Sequence, residues 1–189
     1  MPDTITNYKF PKRVRLTIGM VYLNSYRRND DQGLIEKAQD VLSQHNIELD
    51  VFPNYSLRQK CSWNTIPYSE YINDDTREYT TLYEVAKDKL RQMGCPFVNP
   101  QPVVFGEKVC GGYGIAPRVT KQTTPRLVMI QTSVNQDKMT LLHELGHAAE
   151  LQHDLTHGLP RNFMHEADGR EFIFKYQVEA LCRSMFSVG

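Results

Sequence analysis

The chain is 189 residues long, one domain's worth of material, with 40% hydrophobic and 23% charged residues, as in an ordinary globular protein. Lys+Arg and Asp+Glu balance at 22 each, so the charge carries no footprint of a nucleic-acid or anionic-membrane partner. No apolar run approaches the ~20 residues that cross a bilayer, and the opening MPDTITNYKFPKRVRLTIGM lacks the charged-then-apolar order of a Sec-type leader. The expectation is a monomeric domain with neither nucleic acid nor membrane as partner, cytoplasmic or exported by a leaderless route.

Val14, Leu16, Ile18, Met20 and Tyr22 alternate with other residues and predict a strand over about 13–23. After the polar NSYRRNDDQG, Asp30 or Asp31 is placed to cap a helix whose apolar positions are Leu34, Ile35, Ala38, Val41 and Leu42. His45, at that helix's end, reads as a solvated terminal residue. Ile47, Leu49 and Val51 give a second strand, stopped by Pro53. Strand, helix and strand with short joints make a βαβ unit, so these two strands are expected to be parallel. Residues 53–76 read as irregular, with Trp63 taken as core packing. Tyr79, Leu82, Tyr83, Ala86 and Leu90 mark a second helix, ended by Gly94 and Pro96. Val103 to Phe105 is a short strand, VCGGYGIAP a glycine-rich loop, and Arg126 to Thr132 a further strand. A third helix starts near Asn135–Asp137 and carries MTLLHELGHAAE, a loop covers 154–169, and Phe174, Val178, Leu181, Cys182 and Met185 mark one face of a last helix.

Cys61, Cys95, Cys110 and Cys182 stand far apart with no C-x-x-C pair, which makes neither a disulfide-dense scaffold nor a thiolate zinc site. Two disulfides or four thiols fit the spacing, and mostly free thiols are expected.

The chemistry concentrates in His143-Glu144-Leu145-Gly146-His147-Ala148-Ala149-Glu150-Leu151-Gln152-His153. Residues four apart on a helix face one way, so His143 and His147 point into one space, as two imidazoles on one zinc ion require. Glu144, the next residue round, reaches a water on that metal without being a ligand. If the chain bends after Ala149 or Glu150, His153 supplies a third nitrogen and leaves the fourth position open. His157 and His165 flank this segment and read as loop histidines with supporting contacts.

The segment resembles the extended zinc signature of the metzincin metallopeptidases, HExxHxxGxxH, and Asn162-Phe163-Met164-His165 resembles that family's methionine turn. The resemblance implies a compact α/β (α+β) zincin: a twisted mixed sheet with an active-site helix beneath it and a C-terminal helix. Residues 1–153 would form an upper part and 154–189 a lower one. It also implies one catalytic Zn2+ held by His143, His147 and His153, with Glu144 as general base and Met164 as a floor that does not bind the metal. The implied activity is hydrolysis of internal bonds in a peptide or protein substrate. That substrate would lie along Arg126–Thr132, which resembles the family's edge strand. The signature's glycine is Glu150 here, and a non-glycine residue in the left-handed conformation it needs costs on the order of 1 kcal/mol. Some members carry a tyrosine two residues after the turn methionine; Glu166 occupies that position. Asp154 follows the third histidine, as in the adamalysin-like branch, where it supports the turn.

Alternatives stay open beside this reading. Glu166, nineteen residues after His147, is an alternative metal ligand of the kind another zincin branch uses, and Glu171 is a weaker version of the same idea. Cys110 could act as an inhibitory thiolate, although its surroundings do not match that motif and a buried or bridged cysteine is the plainer reading. Rival functions are a zinc hydrolase acting on a non-peptide substrate and a non-catalytic zinc-binding interaction domain. A structural zinc site needs no base, so Glu144 counts against the second.

Overall fold

The computed structural model describes residues 8–23, 30–54, 65–66, 76–106, 114–120, 123–131, 137–154, 161–166 and 169–189. Its strands are β1 (Val14–Leu23), β2 (Ile47–Phe52), β3 (Thr65–Ile66), β4 (Gln101–Gly106), β5 (Gly114–Ile115), β6 (Arg118–Thr120), β7 (Thr123–Arg126), β8 (Val128–Gln131) and β9 (Ser187–Val188). The helices are α1 (Asp30–Ser43), α2 (Thr76–Gln92), α3 (Thr140–Ala148) and α4 (Lys175–Cys182).

Seven strands form one sheet with the order β2-β1-β4-β8-β5, and β3 and β9 also pair with β1. β1 runs parallel to β2, β3 and β4, and β4 runs parallel to β8. β9 and β5 are antiparallel to their partners. The pairing Val14↔Ile47 through Gly19↔Phe52 is the parallel βαβ unit that the sequence predicts. The chain is therefore an open, mostly parallel mixed sheet of α+β class.

The sheet is covered on both faces, which explains why its central strands read as nearly unbroken apolar runs. Leu16, Ile18, Met20 and Tyr22 share one core with α1, α3 and α4, together with Val103, Phe105, Val128 and Ile130. The intervening Val21, Leu23, Val104 and Met129 share another with Tyr79, Leu82, Tyr83, Ala86 and Leu90 of α2. This alternation is the period of two that strand geometry imposes. α3 thus lies against one face of the sheet, near its β8–β5 edge.

Several local expectations change. Arg126 closes β7, a strand of a separate two-stranded hairpin with β6, and only Val128–Gln131 joins the main sheet. β8 is an interior strand: β4 takes one side and β5 the other, with Gly114↔Ile130 and Ile115↔Met129 in register. The edge strand is β5, whose two residues are too few to alternate visibly in sequence. α3 begins at Thr140, after a turn, and α4 ends at Cys182, leaving Met185 beyond it and 54% exposed. His45 is buried, not solvated, because its Nδ1 meets the Tyr8 carbonyl at 2.6 Å and its backbone holds Phe10. Cys95 and Cys182 are free thiols; Cys61, Cys110, Trp63 and His157 lie outside the described residues. Among the described residues, no helix is long and apolar enough to cross a membrane.

Candidate metal centre

α3 is started by Asp137, whose Oδ1 accepts the Met139 N–H at 2.9 Å and whose carbonyl accepts both the N–H and the hydroxyl of Thr140. Leu141, Leu142 and Leu145 are fully buried and fix the rotation of the helix. His143 and Glu144, each 4% exposed, are carried in with them, and His147 follows one turn on, half-buried.

The bend that returns His153 is a Schellman termination. The Glu150 N–H bonds to the His147 carbonyl at 2.9 Å and the Leu151 N–H to the Gly146 carbonyl at 3.0 Å. Glu150 takes the left-handed position, at φ 67°. The backbone hydrogen bonds of the helix end are thus complete although no glycine is present. His153 leaves the turn directed back at the other two rings. Its Nε2 lies 3.0 Å from Nε2 of His147 and 3.3 Å from Nε2 of His143. Imidazole nitrogens about 2.0–2.1 Å from one tetrahedral zinc ion are spaced by roughly 3.3–3.4 Å.

The other ring nitrogens indicate the tautomers of His143 and His147. Nδ1 of His143 donates to the Phe163 carbonyl at 2.7 Å, and Nδ1 of His147 donates to the Leu151 carbonyl at 2.8 Å. Nδ1 of His153 faces Glu166 Oε1 at 3.1 Å. A carbonyl can only accept, so His143 and His147 carry their protons on Nδ1 and turn their Nε2 lone pairs toward Nε2 of His153. Two lone pairs directed at a third ring nitrogen are an arrangement that a cation between them would stabilise. The three histidines therefore form a donor set that could hold a metal ion.

Glu166, the alternative ligand in the sequence, stands behind the His153 ring rather than beside its Nε2, with a side chain 60% exposed. There it can orient the His153 ring, as outer carboxylates do for a histidine that binds a metal. Glu171 pairs with Arg161 instead.

Met164 is fully buried under the helix. A Cβ on Gly146 would lie 2.4 Å from its sulfur and 2.8 Å from the Phe163 ring, so the turn packs this closely only because position 146 has no side chain. Asn162 Oδ1 accepts the Met164 N–H at 2.9 Å, and the Met164 carbonyl accepts the Asp154 N–H at 3.1 Å. Asn162 and Gln177, both buried, exchange two amide hydrogen bonds of 2.9 and 2.8 Å. Gln177 also accepts the Phe174 N–H that opens α4. Tyr176 donates to Asp154 Oδ2 at 2.5 Å, tying α4 to the residue after His153. Burial, and then this bond to a carboxylate, push the Tyr176 hydroxyl's pKa up.

Sequence reasoning missed Arg170, Tyr176 and Gln177. Arg170 is 8% exposed, its Nε donates to the His165 carbonyl at 2.7 Å, and its Nη1 meets Asp137 Oδ2 at 3.4 Å. It fastens the exit of the methionine turn to the start of α3. Gln177 caps α4 by accepting the Phe174 N–H, but phenylalanine at the N-cap gives no capping-box signature, so nothing local in the sequence marks any of the three.

No protein-family model matches this chain, and no curated protein matches it. The site itself therefore carries the functional argument.

Burial dominates its electrostatics. It lowers the His143 pKa to about 3, helped by the Arg170 charge and opposed by the bond to Phe163. It lowers His147 to about 4, so both rings are neutral near pH 7 and ready to ligate. It raises Glu144 to about 8, against the pull of Arg170 and Arg126. Glu144 Oε2 is buried with no hydrogen-bond partner among the described residues. An unpaired buried carboxyl oxygen is costly, and a cation held by the neighbouring nitrogens is the partner that would favour its ionised form. On the Nδ1 hydrogen bonds of His143 and His147, the convergence of the three Nε2 atoms and the orphaned oxygen, the residues fit a metal ion.

Proposed function

We propose that this protein is a zinc-dependent metallopeptidase of the metzincin type, hydrolysing internal peptide bonds of a peptide or protein substrate. The observation that carries the reading is the convergence of the Nε2 atoms of His143, His147 and His153 beside a buried carboxyl oxygen with no hydrogen-bond partner among the described residues. Three nitrogen donors with a further position left free suit a catalytic zinc site; four closed ligands would suit a structural one. Zinc, when bound there, lowers the pKa of a coordinated water toward ~7 and polarises a carbonyl oxygen.

His143, His147 and His153 would hold the ion, and Phe163, Leu151 and Glu166 keep their rings turned toward it. Glu144 takes the proton of the attacking water as the oxygen joins the carbonyl carbon. It then delivers that proton to the leaving nitrogen as the C–N bond breaks. Met164 and Phe163 support the helix from below and supply no donor. Among the described residues β5 pairs only with β8, and Gly114 packs so closely that a Cβ there would lie 2.8 Å from Glu144 Oε1. The free side of β5, rather than Arg126–Thr132, is then where an extended substrate would add as a strand.

Glu144→Gln keeps size and shape while removing the base. We expect zinc to remain bound one to one and cleavage of a mixed peptide library to fall by about 10²–10⁴-fold. A wild-type protein that loads zinc and cleaves nothing, or a variant as active as wild type, overturns the reading.

A further inference from the structure

Glu150 occupies the one place in the zinc-type signature where this chain departs from glycine. Its backbone adopts φ 67°, so the side chain is kept at a cost of about 1 kcal/mol that glycine would not incur. The carboxylate has a specific counterpart. Oε1 lies 3.5 Å from Nε of Arg126, and the two side chains are 38% and 19% exposed. The Arg126 Nε is buried and has no hydrogen-bond acceptor among the described residues, and Glu150 compensates it as a counter-charge.

Arg126 is fixed at three further points. Its carbonyl accepts from Gln101 Nε2 at 2.7 Å, and Gln101 is buried in β4. Its Nη1 donates to the Ala116 carbonyl at 2.8 Å, directly after β5. The next residue, Leu127, donates its N–H to the Pro117 carbonyl at 3.1 Å. Arg126 thus ties the end of the edge strand to the turn that carries His153. Both ends meet at the same carboxyl group: β5 packs on Glu144 through Gly114, and Glu144 belongs to the helix that this turn terminates.

We infer that Glu150 and Arg126 form a positioning clamp that sets the separation between the edge strand β5 and the His153 turn. A glycine at position 150 would make the same turn and could not do this. The clamp stands on the geometry alone; its consequence for substrate rests on the metallopeptidase reading above. By holding β5 at a fixed height over α3, it fixes where a peptide bonded to that strand meets Glu144. Neither residue touches the reacting atoms.

Glu150→Gly separates the clamp from the turn, because it relaxes the backbone while deleting the carboxylate. The melting temperature should stay level or rise, and zinc affinity should stay within about threefold, since all three ligands and their Nδ1 partners remain. Amide hydrogen exchange at the β5 amide that bonds to β8 should quicken by about fivefold or more as the strand end is released. For a cleaved peptide, KM should rise and kcat/KM fall by roughly tenfold, the scale of a small misplacement far from the chemistry. Glu150→Gln, which keeps the backbone cost and loses the charge, should move exchange and KM in the same direction. Glu150→Gly added to Arg126→Gln should do little more than Arg126→Gln alone.

The two readings fail separately. If wild type cleaves nothing but exchange still quickens in Glu150→Gly, the peptidase reading falls and the clamp stands. If wild type cleaves peptides and Glu150→Gly leaves both exchange and kcat/KM within twofold, the clamp is overturned. Faster exchange with unchanged kcat/KM overturns its role toward substrate. A fall in melting temperature together with loss of zinc overturns it too, because Glu150 would then be holding the turn itself.

Discussion

The two edges of the sheet carry polar groups of opposite kinds. Beside β2 and α1 lies a groove of about 690 Å³, lined by Gln32, Gln39, Glu48 and Asp50 among others. Its charges are matched at the surface: Arg13 meets Glu48 at 2.9 Å and Arg15 meets Asp50 at 3.7 Å, with the arginines 74% and 56% exposed. Gln39 donates to the Leu49 carbonyl and so uses part of that edge's bonding capacity. At the β5 edge the polar groups run from buried His143 and Glu144 through half-buried His147 to exposed His153, and several face one another. Three Nε2 atoms converge, and Glu144 Oε2 has no hydrogen-bond partner among the described residues. The comparison teaches that the two edges differ in how their polar groups are compensated: ion pairs at the surface beside β2, and desolvated groups without such partners beside β5.

Substitutions at the two edges should sharpen that contrast. His143→Ala removes the most buried ligand, and zinc affinity measured by chelator competition should fall by roughly 10³-fold or more. Glu48→Gln at the opposite edge should leave affinity unchanged. Equal losses from the two would erase the distinction.

The pH dependence of stability gives the next largest effect, measured on metal-free protein by chemical unfolding. His143 and His147 titrate at about 3 and 4 when folded, against the usual 6.5, so their contribution is complete above pH 6.5 and is lost on acidification toward 4. Glu144 runs the other way. Its folded value of about 8 lies above the usual 4.5, so its contribution is complete below pH 4.5 and is lost as pH rises through 8. Below 6.5 the two imidazoles outweigh the one carboxyl, and above it the carboxyl acts alone. These groups therefore predict a stability maximum near pH 6.5. Glu144→Gln should abolish the alkaline decline and keep the acid one; an unaltered alkaline limb would contradict the assignment.

Smaller still is the support beneath the site. Gln177→Ala leaves Asn162 buried without its amide partner and should cost about 2–3 kcal/mol in denaturant unfolding. Deleting the exposed Arg13–Glu48 pair through Arg13→Ala should cost under about 1 kcal/mol by the same measurement.

The parts of this molecule visible in its sequence are those that local periodicity encodes. Leu16, Ile18 and Met20 on a strand, and His143 and His147 on a helix, follow from periods of two and 3.6. His153 was legible as a spacing, and the left-handed Glu150 as the consequence of making the chain turn back to meet it. The edge strand was not legible, because Gly114–Ile115 has no alternation and is preceded by a glycine-rich tract that reads as loop. Glu166 was placed near the candidate metal centre by counting, yet a count cannot tell the nitrogen of His153 that faces the other two rings from the one behind it. Arg170 and Tyr176 act on Asp137 and Asp154 across long stretches of chain, and no local pattern links such partners.

X-ray absorption at the zinc edge of the loaded protein tests the central claim most directly. The account predicts three imidazole nitrogens and one light-atom ligand at about 2.0–2.1 Å, with one imidazole lost in His153→Ala. A sulfur ligand, a closed four-residue shell, or a wild-type spectrum that His153→Ala leaves unchanged would contradict it.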